Sequence, residues 1–338
     1  PEDKPIIIRF LKVLGIALGF GAIGWFIPDT IFGSDSTDAF LCACIPVIYF
    51  YSTIYKSCNE EEKKSVGTMY TIFGIVIIFW AIFKLNGTAL TTYANSYTDR
   101  EMPAAFVKPA IYLTQCDTSV VAKNDSVFQL DEHFRRIKDA NGVAIKCVDY
   151  PPYFKNLAPE KYPEQGQKLK LIPTELFQSI NPFFVIALTP LIVMFFGFLR
   201  KRKKEPTTAT KISYGLLISA LSTLVMVAAV YYTNNGNTKA SAWWLVGCYG
   251  VITIGELCLS PMGLSMVSKL SPVRYTALMM GGWSLATSIG NKLSGVLAKN
   301  WDTFDNKANF FWLNFALLLF AFIVMMSLLK RLNKVFKE

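Results

Sequence analysis

The sequence predicts an all-α membrane protein, a polytopic helical bundle, and three observations carry that reading. Hydrophobic residues make up 52% of the 338 positions and charged ones only 17%, where a soluble chain would be about a quarter charged. The apolar residues gather in eight runs, roughly 6–27, 38–56, 65–95, 178–199, 210–232, 241–268, 273–298 and 307–330. Nearly all are long enough to cross about 30 Å at about 1.5 Å per residue, and none alternates as a barrel strand would. The net charge of +10 raises nucleic acid as a partner, but Lys and Arg cluster at the ends of apolar runs and form no aromatic-interleaved stripe. That distribution excludes nucleic acid and makes the lipid bilayer the first partner.

Taken in order, residues 1–64 hold the first two runs as a helical hairpin, joined by a connection 28–38 with Asp29, Asp35 and Asp38 and no Lys or Arg. Residues 65–97 hold the third run. Residues 98–177 are polar and too long for an ordinary loop, so they form either a small folded insertion or a disordered one. Residues 178–338 hold the last five runs. The basic cluster Arg200 to Lys204, with Lys330, Arg331, Lys334 and Lys337 after the last run, orients those ends to the cytoplasm. Alternate crossings then place 28–38 and 98–177 outside, as expected of a multi-pass protein of the cell (inner) membrane. The mixed cluster Glu60 to Lys64 says little.

The insertion holds Cys116 and Cys147, which in an oxidising compartment either bridge or remain two thiols. The other five cysteines have no metal spacing and read as small core residues. His133 is the single histidine, so no His-based metal cluster and no Ser-His-Asp apparatus can be built. Neither a metal site nor an enzyme is expected. The chain begins at Pro1 instead of a methionine, which suggests a fragment.

Glu256 is the first functional candidate. It is the one charge between Trp243 and Met266, and a carboxylate at bilayer depth needs a partner or a task. Lys84, about twenty residues into its run, raises the same question. The two could form an internal ion pair, or Glu256 could wait for a cationic ligand.

The stretch Gly255-Glu256-Leu257-Cys258-Leu259-Ser260-Pro261-Met262-Gly263, continuing to Pro272, resembles the tenth transmembrane helix of the proton-dependent oligopeptide transporters, a branch of the major facilitator superfamily. Leu278-Met279-Met280-Gly281-Gly282-Trp283 through Asn291 resembles the eleventh helix, Phe79-Trp80-Ala81-Ile82-Phe83 and Gly87-Thr88-Ala89-Leu90 the seventh, and Gln178-Ser179-Ile180-Asn181-Pro182 the start of the eighth. The order and spacing match over nearly the whole chain. The resemblance implies that the last six runs are helices seven to twelve, the C-terminal six-helix bundle, and that the first two are the hairpin bacterial members place between bundles. It also implies that the N-terminal six-helix bundle is missing, with its ExxER motif, so that this chain alone does not transport.

What the resemblance implies for function is import of di- and tripeptides by proton-coupled alternating access, with protons as the coupling ion and no other cofactor. Glu256 would take the peptide's amino end through a charge-assisted hydrogen bond. Asn181 could meet a peptide end or backbone, or simply cap a helix before Pro182. Trp80 and Trp283 could line side-chain pockets or pack, and Thr287, one turn from Trp283, could offer its hydroxyl to the ligand or bond its own helix. Lys84 departs from the family, which often carries a coupling glutamate there, and puts coupling through this helix in doubt. Pro261 with Gly263 would let the tenth helix bend as a gate. A related carrier of nitrate or another small solute, and a polytopic scaffold or receptor using 98–177, are the other readings.

Overall fold

The computed structural model describes residues 4–102 and 118–335. Helices α1 (Lys4–Trp25) and α2 (Asp35–Ser57) form the hairpin. Ser34 caps α2 by accepting the Thr37 amide, and the Asp38 carboxylate accepts the Ile31 and Phe32 amides at 2.8 Å each, which ties the turn to the helix it precedes. Gly24 lets the two helices meet, because a Cβ there would lie 2.7 Å from the Asp38 carbonyl oxygen. The hairpin is anchored to the bundle by the Tyr51 hydroxyl, which donates to the Leu278 carbonyl at 2.7 Å.

Helix α3 (Glu60–Phe83) starts in a capping box, Asn59 accepting the Glu62 amide while Glu62 reaches back to the Asn59 amide. Three glutamates in the first turn favour the positive end of the helix dipole. The run 65–95 is not one helix. It breaks at a 3₁₀ turn, Lys84–Gly87, before α4 (Ala89–Tyr97), where Asn86 and Gly87 are poor helix formers and Thr88 leaves helical geometry. Lys84 therefore sits at the end of α3 and not in mid-helix.

Strand β1 (Thr98–Asp99) leaves α4 and pairs in parallel with β6 (Ala240–Ser241). Between them, the described part of the insertion is folded. β2 (Ser119–Val121) pairs antiparallel with β5 (Lys168–Lys170), and β3 (Asp125–Phe128) with β4 (Lys146–Asp149), around a small core that includes Phe154, Tyr153 and Leu169. Cys147 lies in β4, whereas Cys116 lies outside the described residues, and the proposed bridge with it. The insertion is tied down at several points: the Asn156 amide donates to the Gly236 and Ser96 carbonyls, and Arg135 pairs with Asp305 at 3.0 Å.

The bundle continues with α5 (Thr174–Lys201), α6 (Thr208–Tyr232), α7 (Ala242–Leu270), α8 (Thr276–Lys299) and α9 (Lys307–Val335). Helix α5 begins directly after Pro173, which presets the first turn, so Asn181 is an interior residue two turns on and is not a cap. Glycines decide the tightest seams. A Cβ at Gly255 would meet the Ser219 Oγ at 2.1 Å and the Gly215 carbonyl at 2.7 Å, joining α7 to α6. One at Gly290 would meet the Trp80 Cβ at 2.7 Å, joining α8 to α3. Such small-residue contacts are how membrane helices approach closely. Among the described residues, seven helical segments, with α3 and α4 taken together, are long and apolar enough to cross a membrane. Helix α8 is not among them, since Ser284, Thr287, Ser288, Asn291 and Lys292 dilute its apolar face.

Candidate functional site

Two helices meet at the site through one amide. The Asn181 Nδ2 on α5 donates to the Thr253 Oγ1 at 2.9 Å and to the Glu256 Oε2 at 3.1 Å, both on α7. Thr253 can accept because its own hydroxyl proton goes to the Tyr249 carbonyl at 2.6 Å. One turn further, the Tyr249 hydroxyl donates to the Asn86 carbonyl at 3.3 Å, a group set free by the 3₁₀ break. A chain of polar contacts thus runs from α5 through α7 to the interruption between α3 and α4. Non-helical backbone at membrane depth is tolerated where protein or a polar cavity satisfies it, and the hydroxyls of Thr91, at 2.9 Å, and Tyr249 do this for the Asn86 carbonyl.

Glu256 is half-buried, and only its Oε2 is engaged. Among the described residues its Oε1 accepts no hydrogen bond, so one carboxylate oxygen remains for a ligand donor. Lys84 is also half-buried, yet no ion pair within 4.0 Å joins it to Glu256 or to any other carboxylate among the described residues. Its ammonium lies 5.6 Å from the Trp80 ring centroid and 5.8 Å from that of Phe83, at the outer limit of a cation–π contact. The site therefore presents an anion with a free oxygen and a cation on an aromatic ledge, close to each other but not joined. That is the charge pattern of a zwitterion reversed.

The other expected residues are placed less directly. Trp80 stands under Lys84, and its buried indole N–H has no hydrogen-bond partner among the described residues. Trp283 is 5% exposed and packs on α7 where Gly263 leaves room, since a Cβ at Gly263 would lie 1.9 Å from its ring. Thr287 donates to the Trp283 carbonyl at 3.1 Å and so bonds its own helix. Helix α7 runs unbroken through Pro261 and Gly263. Thr253, Tyr249 and Asn86 belong to the site and were not singled out from sequence. The spacing of Tyr249, Thr253 and Glu256, four and then three residues, places them on one helical face, and Asn86-Gly87 is a turn signal. Neither signal says that the two meet.

With the geometry in place, similarity to known proteins adds the family. Residues 166–313 match the model of the POT family. A di-/tripeptide transporter from Lactococcus lactis subsp. lactis (strain IL1403) is 30% identical over 301 residues, 87% of this chain and 48% of that protein. Over these stretches the chain is similar to POT-family proteins. The peptide transporter YePEPT of Yersinia enterocolitica subsp. palearctica serotype O:3 (strain YE-P4) is 40% identical over 127 residues, 37% of this chain and 25% of that protein. Among solved structures, peptide transporter POT in complex with sulfate superposes with a TM-score of 0.62 at 23% identity, covering 99% of this chain and 54% of the other. A POT family transporter in complex with 5-aminolevulinic acid gives a TM-score of 0.60 at 21% identity, with the same shares. These superpositions carry the fold alone, a helical transporter bundle. The chain spans about half the length of these relatives, and with seven span-forming segments among the described residues it is a membrane protein.

Proposed function

We propose that this chain forms the C-terminal half of a proton-coupled carrier that imports di- and tripeptides by alternating access. The observation that carries the reading is the Asn181–Glu256 hydrogen bond between α5 and α7, which leaves one carboxylate oxygen free beside the helix break bearing Lys84. A peptide's ammonium would bind the free Glu256 oxygen and its carboxylate would be drawn to Lys84, the complement of the two separated charges. Secondary carriers hold substrate near the midplane between their two bundles, at interrupted helices whose exposed backbone serves the ligand. Binding energy at Glu256 would compete with the Asn181 contact, so occupancy would loosen α5 from α7. Pro261 and Gly263 would be the hinge through which α7 answers. On this reading Glu256 and Lys84 set substrate charge, while most proton coupling belongs to the other half of the carrier.

The same reading orients the protein in a cell membrane. The basic run after α5 and the basic residues at the end of α9 favour the cytoplasm, which would leave the insertion outside.

Uptake of a labelled dipeptide into proteoliposomes containing the full-length protein, driven by an inward proton gradient, tests the proposal. Glu256→Gln is expected to abolish competition by peptides with a free amino end more than by amino-blocked ones. Equal competition by both, in a variant that folds and reconstitutes, would sink the assignment of Glu256. Unchanged transport rates in Pro261→Ala would remove the hinge.

A further inference from the structure

A cavity lies at the insertion end of the bundle, on the seam between α5 and α7. It encloses about 710 Å³ between the first turns of α5 and α7. Trp243 lines it and is thirteen positions from Glu256, which at about 100° per residue turns the two about 140° apart around the helix. Thirteen residues also set Trp243 about 20 Å along α7 from Glu256, so the cleft is a separate place on the same seam. On α5 its wall is Leu176 and Ile180, with Val246 facing them from α7. These apolar side chains line the part nearer the membrane interior, and Tyr232 and Trp243 stand at its edge, 75% and 77% exposed. Amphipathic rings exposed at the end of a span mark the membrane–water interface.

The roof is charged and comes from the insertion and from β1 and β6. Asp99 is already satisfied: it pairs with Lys161 at 2.5 Å, and accepts the Tyr153 hydroxyl at 3.0 Å and the Glu101 amide at 3.1 Å. Burial alone would raise its carboxyl, but these donors hold it below the usual carboxylate range. Lys239 is different. Its ammonium donates to the Ser96 carbonyl at 3.2 Å and lies 4.3 Å over the Tyr153 ring, and among the described residues no carboxylate is within 4.0 Å of it. Burial pushes the amine down to about 7, the nearby Arg100 cation adds to this, and Asp99 opposes it. A half-buried amine in that state gains from an arriving anion. Glu101, exposed on the same rim, disfavours a ligand that is only anionic.

We propose that this cleft binds a phospholipid of the phosphoethanolamine class, its phosphate on Lys239, its ammonium toward Glu101 and one acyl chain along the α5–α7 groove beside Ile180 and Val246. Both flanking helices are membrane spans, so the apolar wall meets acyl chains while the roof meets headgroups. A short peptide fits the charges but offers no long apolar chain for the wall of Leu176, Ile180 and Val246. The inference stands whether or not Glu256 binds peptides.

The test uses the full-length protein, stripped of lipid and placed in nanodiscs of phosphatidylcholine doped with phosphatidylethanolamine or phosphatidylglycerol carrying brominated acyl chains. Quenching of tryptophan fluorescence reads occupancy. Phosphatidylethanolamine is expected to quench preferentially, and Trp243→Phe to remove most of that preferential quenching. Lys239→Gln should weaken the preference about fivefold, the size of one cation's attraction at a membrane surface, Lys239→Arg should retain it, and Glu101→Gln should make phosphatidylglycerol equivalent. Val246→Trp, which fills the groove and leaves every charge in place, should lose the lipid as Lys239→Gln does. Equal quenching by both lipids in the unaltered protein, or no loss in both Lys239→Gln and Val246→Trp, would overturn the proposal. So would displacement by dialanine, which would make the cleft a peptide site, or by soluble phosphoethanolamine at the same concentration, which would make the acyl chain irrelevant.

Discussion

Helices α5 and α6 follow one another in the chain and are both apolar spans, yet they meet their surroundings in opposite ways. Along α6, Gly215, Ser219, Ala220, Ser222 and Ala229 are buried and α7 lies against them, whereas along α5 only Phe177 is buried. Helix α5 presents Phe183, Ile186, Val193 and Met194 outward and reaches α7 through Asn181 and a few apolar contacts. Lipid is as apolar as leucine, so hydrophobicity does not decide which helix is buried. Close approach does, and small side chains permit it. The helix packed by small residues is scaffold; the helix held by a few polar side chains, Asn181 to α7 and Gln178 to Thr91 of α4 at 3.1 Å, is free to respond to what Asn181 meets.

This contrast can be broken most severely at Gly255. Gly255→Leu drives a side chain into Ser219 and the Gly215 carbonyl, both closer than 3.0 Å to the first added carbon, and is expected to cost about 3 kcal/mol or more. Thermal unfolding in detergent should show a large fall or no folded protein. Asn181→Ala comes next. It should cut dipeptide uptake at least tenfold while lowering stability by only about 1 kcal/mol, in line with single polar contacts between membrane helices. A loss of stability as large as that of Gly255→Leu would make α5 scaffold as well.

A smaller effect is expected at the junction of the two helices. Glu205 accepts from Arg200 of α5 at 2.6 Å and from Lys211 of α6 at 2.6 Å, and these hydrogen bonds, with the charges behind them, hold its carboxyl down to about 2. Because the folded value is depressed from 4.5, the stabilisation is complete above that pH and fades as pH falls toward about 2. Acid titration of the melting temperature should show an increment that Glu205→Gln lacks. Smallest of all, Ile186→Ala on the open face of α5 should change stability by about 0.5 kcal/mol or less. A larger loss would mean that another element covers this face.

The architecture was legible because bilayer thickness imposes a length on each apolar run, and the family was legible in Gly255 to Pro272 and in the stretches around Trp80, Asn181 and Trp283. Glu256 and Lys84 stood out by cost alone. The break at Lys84 did not, because hydropathy passes smoothly through Leu85 and on to Ala89 and Leu90, and only the weak signal of Asn86-Gly87 interrupts it. The start of α5 was displaced for a related reason: the first turns, from Thr174, are polar enough to read as loop, although Pro173 marks the entry. Partnerships were the least legible part. That Asn181 meets Thr253 and Glu256 depends on how α5 rotates about its axis against α7, a property of two packed surfaces that neither segment encodes by itself.

The insertion's attachment has a practical consequence. It is stitched by β1 to β6, by Asn156 to the turn at Gly236 and by Arg135 to Asp305, so two connections of the bundle, α6–α7 and α8–α9, share it as a common clasp. An antibody fragment or spectroscopic label on β3 or β4 would turn as a rigid pointer with these helices, and would report their tilt during the proposed transport cycle from outside the Asn181–Glu256 site.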